Sequence, residues 1–142
     1  MSIVNGSFDP TQNDLNLVLN VKQPVAENAA KLRTAISQLT PTGLNNVGTV
    51  HFARFLFLDN DSKFLVFTSY DGNFVDYVRA FIRETGDMFN ALLANVELPE
   101  GETILPVQQN EEAFVNFVQK NDVNSEAFYS AYPKLTVLNI VG

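Results

Sequence analysis

The chain has 142 residues, no cysteine and a net charge of −7, and these values exclude several classes of protein. Without cysteine there is no disulfide framework, thiolate zinc site, iron–sulfur cluster or thiol catalysis. The excess of acidic side chains repels nucleic-acid phosphates and anionic lipid headgroups, so neither is an expected partner. The fractions of hydrophobic residues, 46%, and charged residues, 18%, are those of a folded protein, and we expect one domain spanning residues 1–142.

The N-terminal segment carries no targeting signal and one coincidental motif. No basic stretch is followed by an apolar one there, and no run elsewhere reaches membrane-spanning length, so we expect a cytoplasmic protein. The run Asn5-Gly-Ser-Phe-Asp-Pro10 resembles the phosphate-handling entrance of nucleotidyltransferases, but the histidines that should follow are missing. Without imidazoles nothing stabilises a transferred phosphate. Residues 1–13 are polar and contain glycine and proline, so we interpret them as an arm.

Two patterned stretches follow this arm. Apart from Val18, apolar and polar side chains alternate over residues 15–21, as in a strand with one buried face. Residues 24–39 carry apolar side chains at helical spacing, and Pro24 suits the first helical position. The sequence therefore predicts a first strand and a first helix.

A hairpin is predicted after a turn at residues 42–46. The runs 47–58 and 64–70 are rich in β-branched and aromatic residues. Between them lies the turn-forming sequence Asp-Asn-Asp-Ser at residues 59–62.

Two further helices are predicted in the second half of the chain. Asn73 is a candidate cap for an apolar helical stripe over residues 74–96, and Gly86 within it is the expected kink. Asn110 followed by acidic residues marks a second helix start, with Phe114, Phe117 and Val118 directed inward.

The remaining segments complete a known order of elements. A connection at residues 97–106, with a short strand at 103–105, and a helical turn at 125–131 belong to an insertion, residues 97–134. Residues 135–141 predict a last strand. Without the insertion the order is strand, helix, hairpin, helix, strand, which predicts an α+β, ferredoxin-like β-α-β-β-α-β fold.

Both faces of the predicted hairpin are apolar: one carries Phe55, Phe57, Phe64 and Val66, and the other carries Phe52, Leu56, Leu65 and Phe67. In a two-layer domain the helices cover one sheet face, so the second must meet the insertion, a ligand or another subunit. We expect a homodimer in which two sheets pack together.

Three segments carry a family resemblance: His51-Phe-Ala-Arg-Phe55, Phe67-Thr-Ser-Tyr-Asp-Gly72 leading into Tyr77 and Phe81, and Phe128-Tyr-Ser-Ala-Tyr-Pro133. Over residues 47–140 the chain resembles uncharacterised bacterial proteins of the dimeric α/β-barrel superfamily. The resemblance implies a ferredoxin-like subunit whose sheet packs against a partner's sheet. That superfamily includes haem enzymes such as chlorite dismutases and dye-decolourising peroxidases, cofactorless monooxygenases and stress-responsive proteins, and fold alone does not choose among them.

His51 is the single histidine and could act as a base or bind a metal or haem. One histidine without cysteine does not make a conventional zinc site. Counting back from the hairpin turn places Ala53 across from Thr68 and His51 across from Tyr70, on one face. Alternatively, His51 only hydrogen-bonds Tyr70 or a backbone carbonyl at a strand end. The haem members of the superfamily place their axial histidine beyond the strands, whereas His51 lies near the start of one.

Arg54 lies mid-strand between apolar neighbours, where an unpaired charge is costly. It could form an ion pair with Asp71, Asp76 or a partner subunit's carboxylate, or anchor an anionic ligand under the helices. Tyr129 and Tyr132 flank the predicted helical turn, where they would pack a lid or an interface or line a pocket mouth.

The candidate ligand pocket therefore comprises His51, Arg54, Thr68, Tyr70, Tyr129 and Tyr132. Our leading hypothesis is a homodimeric domain that binds a small apolar or anionic ligand, with no metal and no cofactor. The rival is an oxidative enzyme of the same fold that uses His51, Arg54 and Tyr70 around a haem or an aromatic substrate. A third hypothesis is a protein-interaction module that recruits its partner through the insertion.

Overall fold

The computed structural model describes residues 11–141. The elements are β1 (Gln12–Asn20), α1 (Val25–Ser37), α2 (Pro41–Val47), β2 (Val50–Leu58), β3 (Lys63–Asp71), α3 (Phe74–Leu93), a 3-10 helix (Val107–Gln109), α4 (Glu111–Asn121) and α5 (Val137–Val141). The strands form one antiparallel sheet in the order β1-β3-β2. The α+β, ferredoxin-like class predicted from the sequence is confirmed.

The core lies between one face of the sheet and the helices. Alternate residues of β1 and β3 point into it, and the register places Leu17 beside Val66 and Leu19 beside Phe64. Tyr77 of α3 and Phe114 of α4 close this layer, and both are almost fully buried. Burial of one such side chain stabilises the fold by roughly 1.5–3 kcal/mol, so this layer supplies most of the stability.

The long helix α3 starts and bends where the sequence indicates. The Asn73 side chain accepts a hydrogen bond from the backbone N–H of Asp76 at 2.9 Å, which is an N-cap. Thr85 leaves the helical region, with φ −136°, and its hydroxyl donates to the Phe81 carbonyl. A Cβ at Gly86 would lie 2.5 Å from the Gln108 side chain, so glycine permits this close approach. The predicted kink is confirmed one residue earlier, at Thr85.

The predicted last strand does not form. Residues 137–141 are the short helix α5, and two irregular segments lie beside the outer edge of β1 instead. Val96 bridges to Val21, and Asp122 bridges to Leu17. The position that a fourth strand takes in a β-α-β-β-α-β sheet is therefore shared between residues 95–97 and 122–123.

Other local predictions are corrected. Residues 42–46 are not an open turn but part of α2, which Pro41 starts. Residues 103–105 form no strand and residues 125–131 no helix. β1 begins at Gln12, inside the predicted arm. The motif at residues 5–10 lies outside the described residues.

Candidate functional site

A β-bulge displaces His51 from its predicted position. The register runs as expected from Leu58 back to Phe52, and Ala53 does pair with Thr68. Between Phe52 and Val50 the ladder shifts, so Val50 pairs with Tyr70 and His51 is the extra residue. The predicted hydrogen bond between His51 and Tyr70 is therefore wrong.

The bulge turns His51 towards Asp71 at the end of β3. Nε2 of His51 and Oδ1 of Asp71 are 2.7 Å apart, and both side chains are buried, with 8% and 7% of their surface exposed. Oδ2 of Asp71 accepts the backbone N–H of Val137, also at 2.7 Å. One carboxylate thus holds both the histidine ring and the start of α5.

Gln12 extends this polar cluster towards the C-terminal segment. It pairs with Asp71 across the sheet and is itself buried. Its side-chain amide donates to the carbonyls of Tyr132, at 2.7 Å, and Leu135, at 2.9 Å. Buried polar groups must find such partners, and here they find them in the segment that leads into α5.

His51 lines an open groove of about 590 Å³ between α2, the start of β2 and α5. Most of the lining is apolar: Leu39, Pro41, Leu44, Val50, Phe52, Ala53, Val137, Leu138 and Val141. Nε2 of His51 is occupied by Asp71, whereas Nδ1 forms no hydrogen bond with any residue from 11 to 141. Within residues 11–141 the Nδ1 atom therefore has no hydrogen-bond partner, and His51 lies among mostly apolar lining residues.

Thr68 and Tyr70 lie in the core rather than in this groove. The Tyr70 ring stacks on Tyr77, with 3.9 Å between ring centroids. The hydroxyls of Thr68 and Tyr77 lie close together, but neither forms a hydrogen bond of normal geometry with the described residues. Residues Thr68 and Tyr77 both line a small apolar cavity of about 20 Å³, which has room for about one water molecule.

Burial controls the ionisation of the two stacked tyrosines. Loss of water, with smaller contributions from the charges of Asp122 and Asp14, raises the pKa of Tyr70 to about 12. Burial also raises the pKa of Tyr77, against a small opposing effect of the Thr68 hydroxyl. Both phenols stay neutral near pH 7.

Arg54 points to the sheet face opposite the helices. Its guanidinium lies 5.8 Å from the centre of the Phe67 ring, a cation–π contact. Among residues 11–141 it forms no ion pair: Asp71 bonds His51, and Asp76 bonds Asn73. The predicted pairing with Asp71 or Asp76 is wrong, and Arg54 cannot anchor a ligand beneath the helices.

Tyr129 and Tyr132 are exposed, and the predicted helical turn at residues 125–131 does not form. Only the backbone of Tyr132 reaches the site, through Gln12. The structure thus keeps His51 at the groove and separates it from the five other predicted residues. Asp71, Gln12 and α5 were not predicted as site residues, and the only sequence signal was an acidic residue at the end of a strand.

The groove does not fit a haem. Haem carries two propionates, which need cationic partners, and the side chains lining the groove include no lysine or arginine. The Nε2 atom of His51 is engaged by Asp71. Within the described part of the chain no group of three or more histidine, aspartate or glutamate side chains could hold a metal ion, and no helix could cross a membrane.

Comparison with known proteins identifies the fold. No family model and no curated sequence matches the chain. A solved structure from Nitrosomonas europaea, described as an antibiotic biosynthesis monooxygenase, is 11% identical with a TM-score of 0.50, over 65% of this chain and 86% of that one. Tetracenomycin F2 cyclase from Streptomyces glaucescens, a type-II polyketide cyclase, is 11% identical with a TM-score of 0.47, over 83% of this chain and 95% of that one. At such identity the first likeness establishes a shared ferredoxin-like fold, and function must be argued from the site.

Proposed function

We propose that this chain is a small-molecule-binding domain whose ligand lies in the α2–β2–α5 groove with one polar group on Nδ1 of His51. The observation that supports this proposal is the buried His51–Asp71 pair at the edge of an apolar groove. Ligand sites typically have a few polar groups that converge within an apolar cavity. The groove volume of about 590 Å³ lies in the ordinary range for such sites.

The pair also supports an expectation about the chemistry of the ligand. A carboxylate accepts, so Asp71 holds the tautomer in which the proton is on Nε2. Nδ1 is then a hydrogen-bond acceptor. The expected ligand is therefore a largely apolar molecule with one donor group, such as a phenol.

Binding of two matched probes tests this proposal. 1-Naphthol carries a donor hydroxyl, and naphthalene has the same rings without it. We expect the protein to bind 1-naphthol at least tenfold more tightly, because a single good hydrogen bond to an otherwise unpaired site group contributes about 1.4 kcal/mol or more. Equal affinities, measured by fluorescence titration, would contradict the proposal.

Two variants localise the probe. His51→Gln should abolish the preference for 1-naphthol over naphthalene, because the glutamine amide does not reproduce the Asp71-held acceptor. Val75→Ala is the matched control, because Val75 is an exposed apolar residue on α3 and does not line the groove. If His51→Gln lowers thermal stability but leaves the preference unchanged, His51 supports the fold and contacts no ligand.

The second candidate function is a cofactor-free oxidative enzyme acting in the same groove. The imidazole of His51, oriented by the Asp71 carboxylate, supports this function. The Nδ1 lone pair that accepts a hydrogen bond can also remove the proton from a phenol. Deprotonated, electron-rich aromatic substrates can pass electrons to dissolved oxygen. Oxygen uptake that depends on 1-naphthol and is lost in His51→Gln would support this function, whereas a Soret band in the purified protein would contradict a cofactor-free function.

The proposed domain is a homodimer. The sheet face opposite the helices carries Leu56 and Phe67, both partly exposed, around Arg54, whereas Leu65 on the same face is already buried at 4% exposed. Apolar faces of this kind are usually covered in soluble proteins, and a second copy offers a matching face. The dimer should bury at least about 1,000 Å² in total.

Light scattering of the free protein at low concentration tests the dimer. Leu56→Asp places a charge in the middle of the proposed interface and should give monomers. Val75→Asp puts the same charge on an exposed apolar residue of α3 and should leave the dimer intact. A monomeric parent protein would refute this part of the proposal.

A further inference from the structure

The C-terminal segment, residues 132–141, is attached to the sheet end mainly through hydrogen bonds. Backbone N–H of Thr11 donates to the Pro133 carbonyl at 2.9 Å, and the Gln12 side chain donates to the Tyr132 and Leu135 carbonyls. The Val137 N–H donates to Asp71. These contacts all involve residues at the start of β1 or at the end of β3.

Apolar burial contributes little to this attachment. No side chain of α5 is buried, and Leu138 and Val141 remain 68% and 73% exposed. A five-residue helix is far below the length at which helices are stable alone. Segments with few buried apolar contacts open locally at low free-energy cost. Residues 132–141 are therefore suited to opening and closing.

The same segment forms one wall of the ligand groove. Val137, Leu138 and Val141 line it on the side opposite α2, and Asp71 joins this wall to His51. A ligand in the groove would cover Leu138 and Val141, and it gains those contacts only while the segment is docked. A ligand that binds one of two states better shifts the population towards that state.

We propose that residues 132–141 are a strap that closes the ligand groove, and that Asp71 couples strap docking to the orientation of His51. This inference rests on the proposed function. With the strap docked, both carboxylate oxygens of Asp71 are used, and the His51 ring is held with Nδ1 towards the groove. With the strap released, the groove loses one wall, and Asp71 loses one of the two partners that fix its position.

Hydrogen exchange of the full-length protein, followed by mass spectrometry, tests the strap. In the free protein we expect peptides within residues 132–141 to exchange at least tenfold faster than peptides from β3. Saturating 1-naphthol should slow exchange in the strap severalfold and leave β3 unchanged. Strap protection equal to that of β3 in the free protein would overturn the inference.

Two substitutions separate docking from ligand contact. Gln12→Ala removes two hydrogen bonds to the strap without touching the groove, so strap exchange should accelerate and 1-naphthol affinity should fall severalfold. Leu138→Ala removes exposed apolar surface from the wall, cannot impair folding through lost burial, and should lower affinity with little change in exchange of the free strap. If residues 132–141 exchange at the same rate in Gln12→Ala as in the parent protein, the inference is overturned.

The outcomes distinguish the strap from the ligand site itself. If 1-naphthol binds and His51→Gln removes its preference, but strap exchange does not respond, the ligand site stands and the strap is a fixed wall. If 1-naphthol does not bind at all, the ligand site and the strap both fail.

Discussion

The two ends of β3 are stabilised in different ways. Phe64 and Val66 lie in a sealed apolar layer beneath the helices, where packing alone holds the side chains. Asp71, at the other end, is also buried, at 7% exposed, but it is hydrogen-bonded to His51 and Val137 and lines an open surface pocket. The first arrangement supplies stability, and the second supplies a chemically distinctive group that a ligand can reach. Substitutions in the two regions should therefore affect different measurements.

The largest expected effect is on stability, in the apolar layer. Phe114→Ala removes an almost fully buried ring that packs on Phe89 and should lower the free energy of unfolding by about 3–5 kcal/mol. Chemical denaturation measures this loss. Affinity for 1-naphthol should be unchanged under conditions where the variant is folded, and a large loss of affinity would break the division between the two regions.

The stacked tyrosines should make the same layer sensitive to alkali. The pKa of Tyr70 is raised to about 12, so the unfolded chain loses its phenolic proton at lower pH than the folded chain. This stability is fully present below the ordinary tyrosine pKa of about 10 and is lost as the pH rises through the folded value, by roughly 2–3 kcal/mol. Tyr70→Phe should be less alkali-sensitive than the parent in denaturation curves at pH 9 and pH 11, and equal sensitivity would contradict this reading.

A smaller effect is expected at the polar end. Asp71→Asn keeps one acceptor oxygen for the Val137 N–H but presents an NH2 donor to His51, which favours the tautomer with the proton on Nδ1. We expect a loss of about 1–2 kcal/mol in unfolding free energy together with a loss of the 1-naphthol preference. If Asp71→Asn prefers 1-naphthol over naphthalene as strongly as the parent protein does, Asp71 does not set the His51 tautomer.

The smallest change in the free energy of unfolding is expected for Asp122, at the outer edge of β1. Here removal of a carboxylate charge should be neutral or stabilising. Burial, followed by repulsion from Asp14, raises the pKa of Asp122, although the Asn16 N–H bond to its side chain opposes this. An acid with a raised pKa contributes stability below its unfolded pKa and loses that contribution as the pH rises through the folded value. Asp122→Asn keeps an acceptor without the charge, so it should be neutral or stabilising by less than about 1 kcal/mol at pH 7. If Asp122→Asn is clearly destabilised at pH 7, the charge of the Asp122 carboxylate stabilises the fold.

The hairpin shows how far the sequence could predict the site. The turn at residues 59–62 correctly gave the pairing of Ala53 with Thr68, because a short loop fixes the register of adjacent residues. The bulge at His51 could not be predicted, because it depends on contacts outside the hairpin. The Thr49 carbonyl accepts the Asp71 N–H, and Asp71 in turn binds α5.

The C-terminal segment shows a second limit. Residues 135–141 are a short apolar run, and such a run does not distinguish a strand from a helix. The choice is made by long-range polar partners: Gln12 lies 123 residues before Leu135, and Asp71 lies 66 residues before Val137. The same partners create the groove, so the feature that was mispredicted is also the one that completes the site.

The hairpin loop offers a practical route to observing this site. Asp59, Asn60 and Asp61 adopt left-handed backbone angles, and Arg33 binds the Asp61 carboxylate through two hydrogen bonds. The loop lies at the opposite end of β2 from His51, roughly 25 Å away along the strand. Because the sequence contains no cysteine, Asn60→Cys would introduce a unique thiol for a fluorophore or a surface tether. The groove would then face away from the attachment point, so ligand exchange could be followed on immobilised molecules without obstruction.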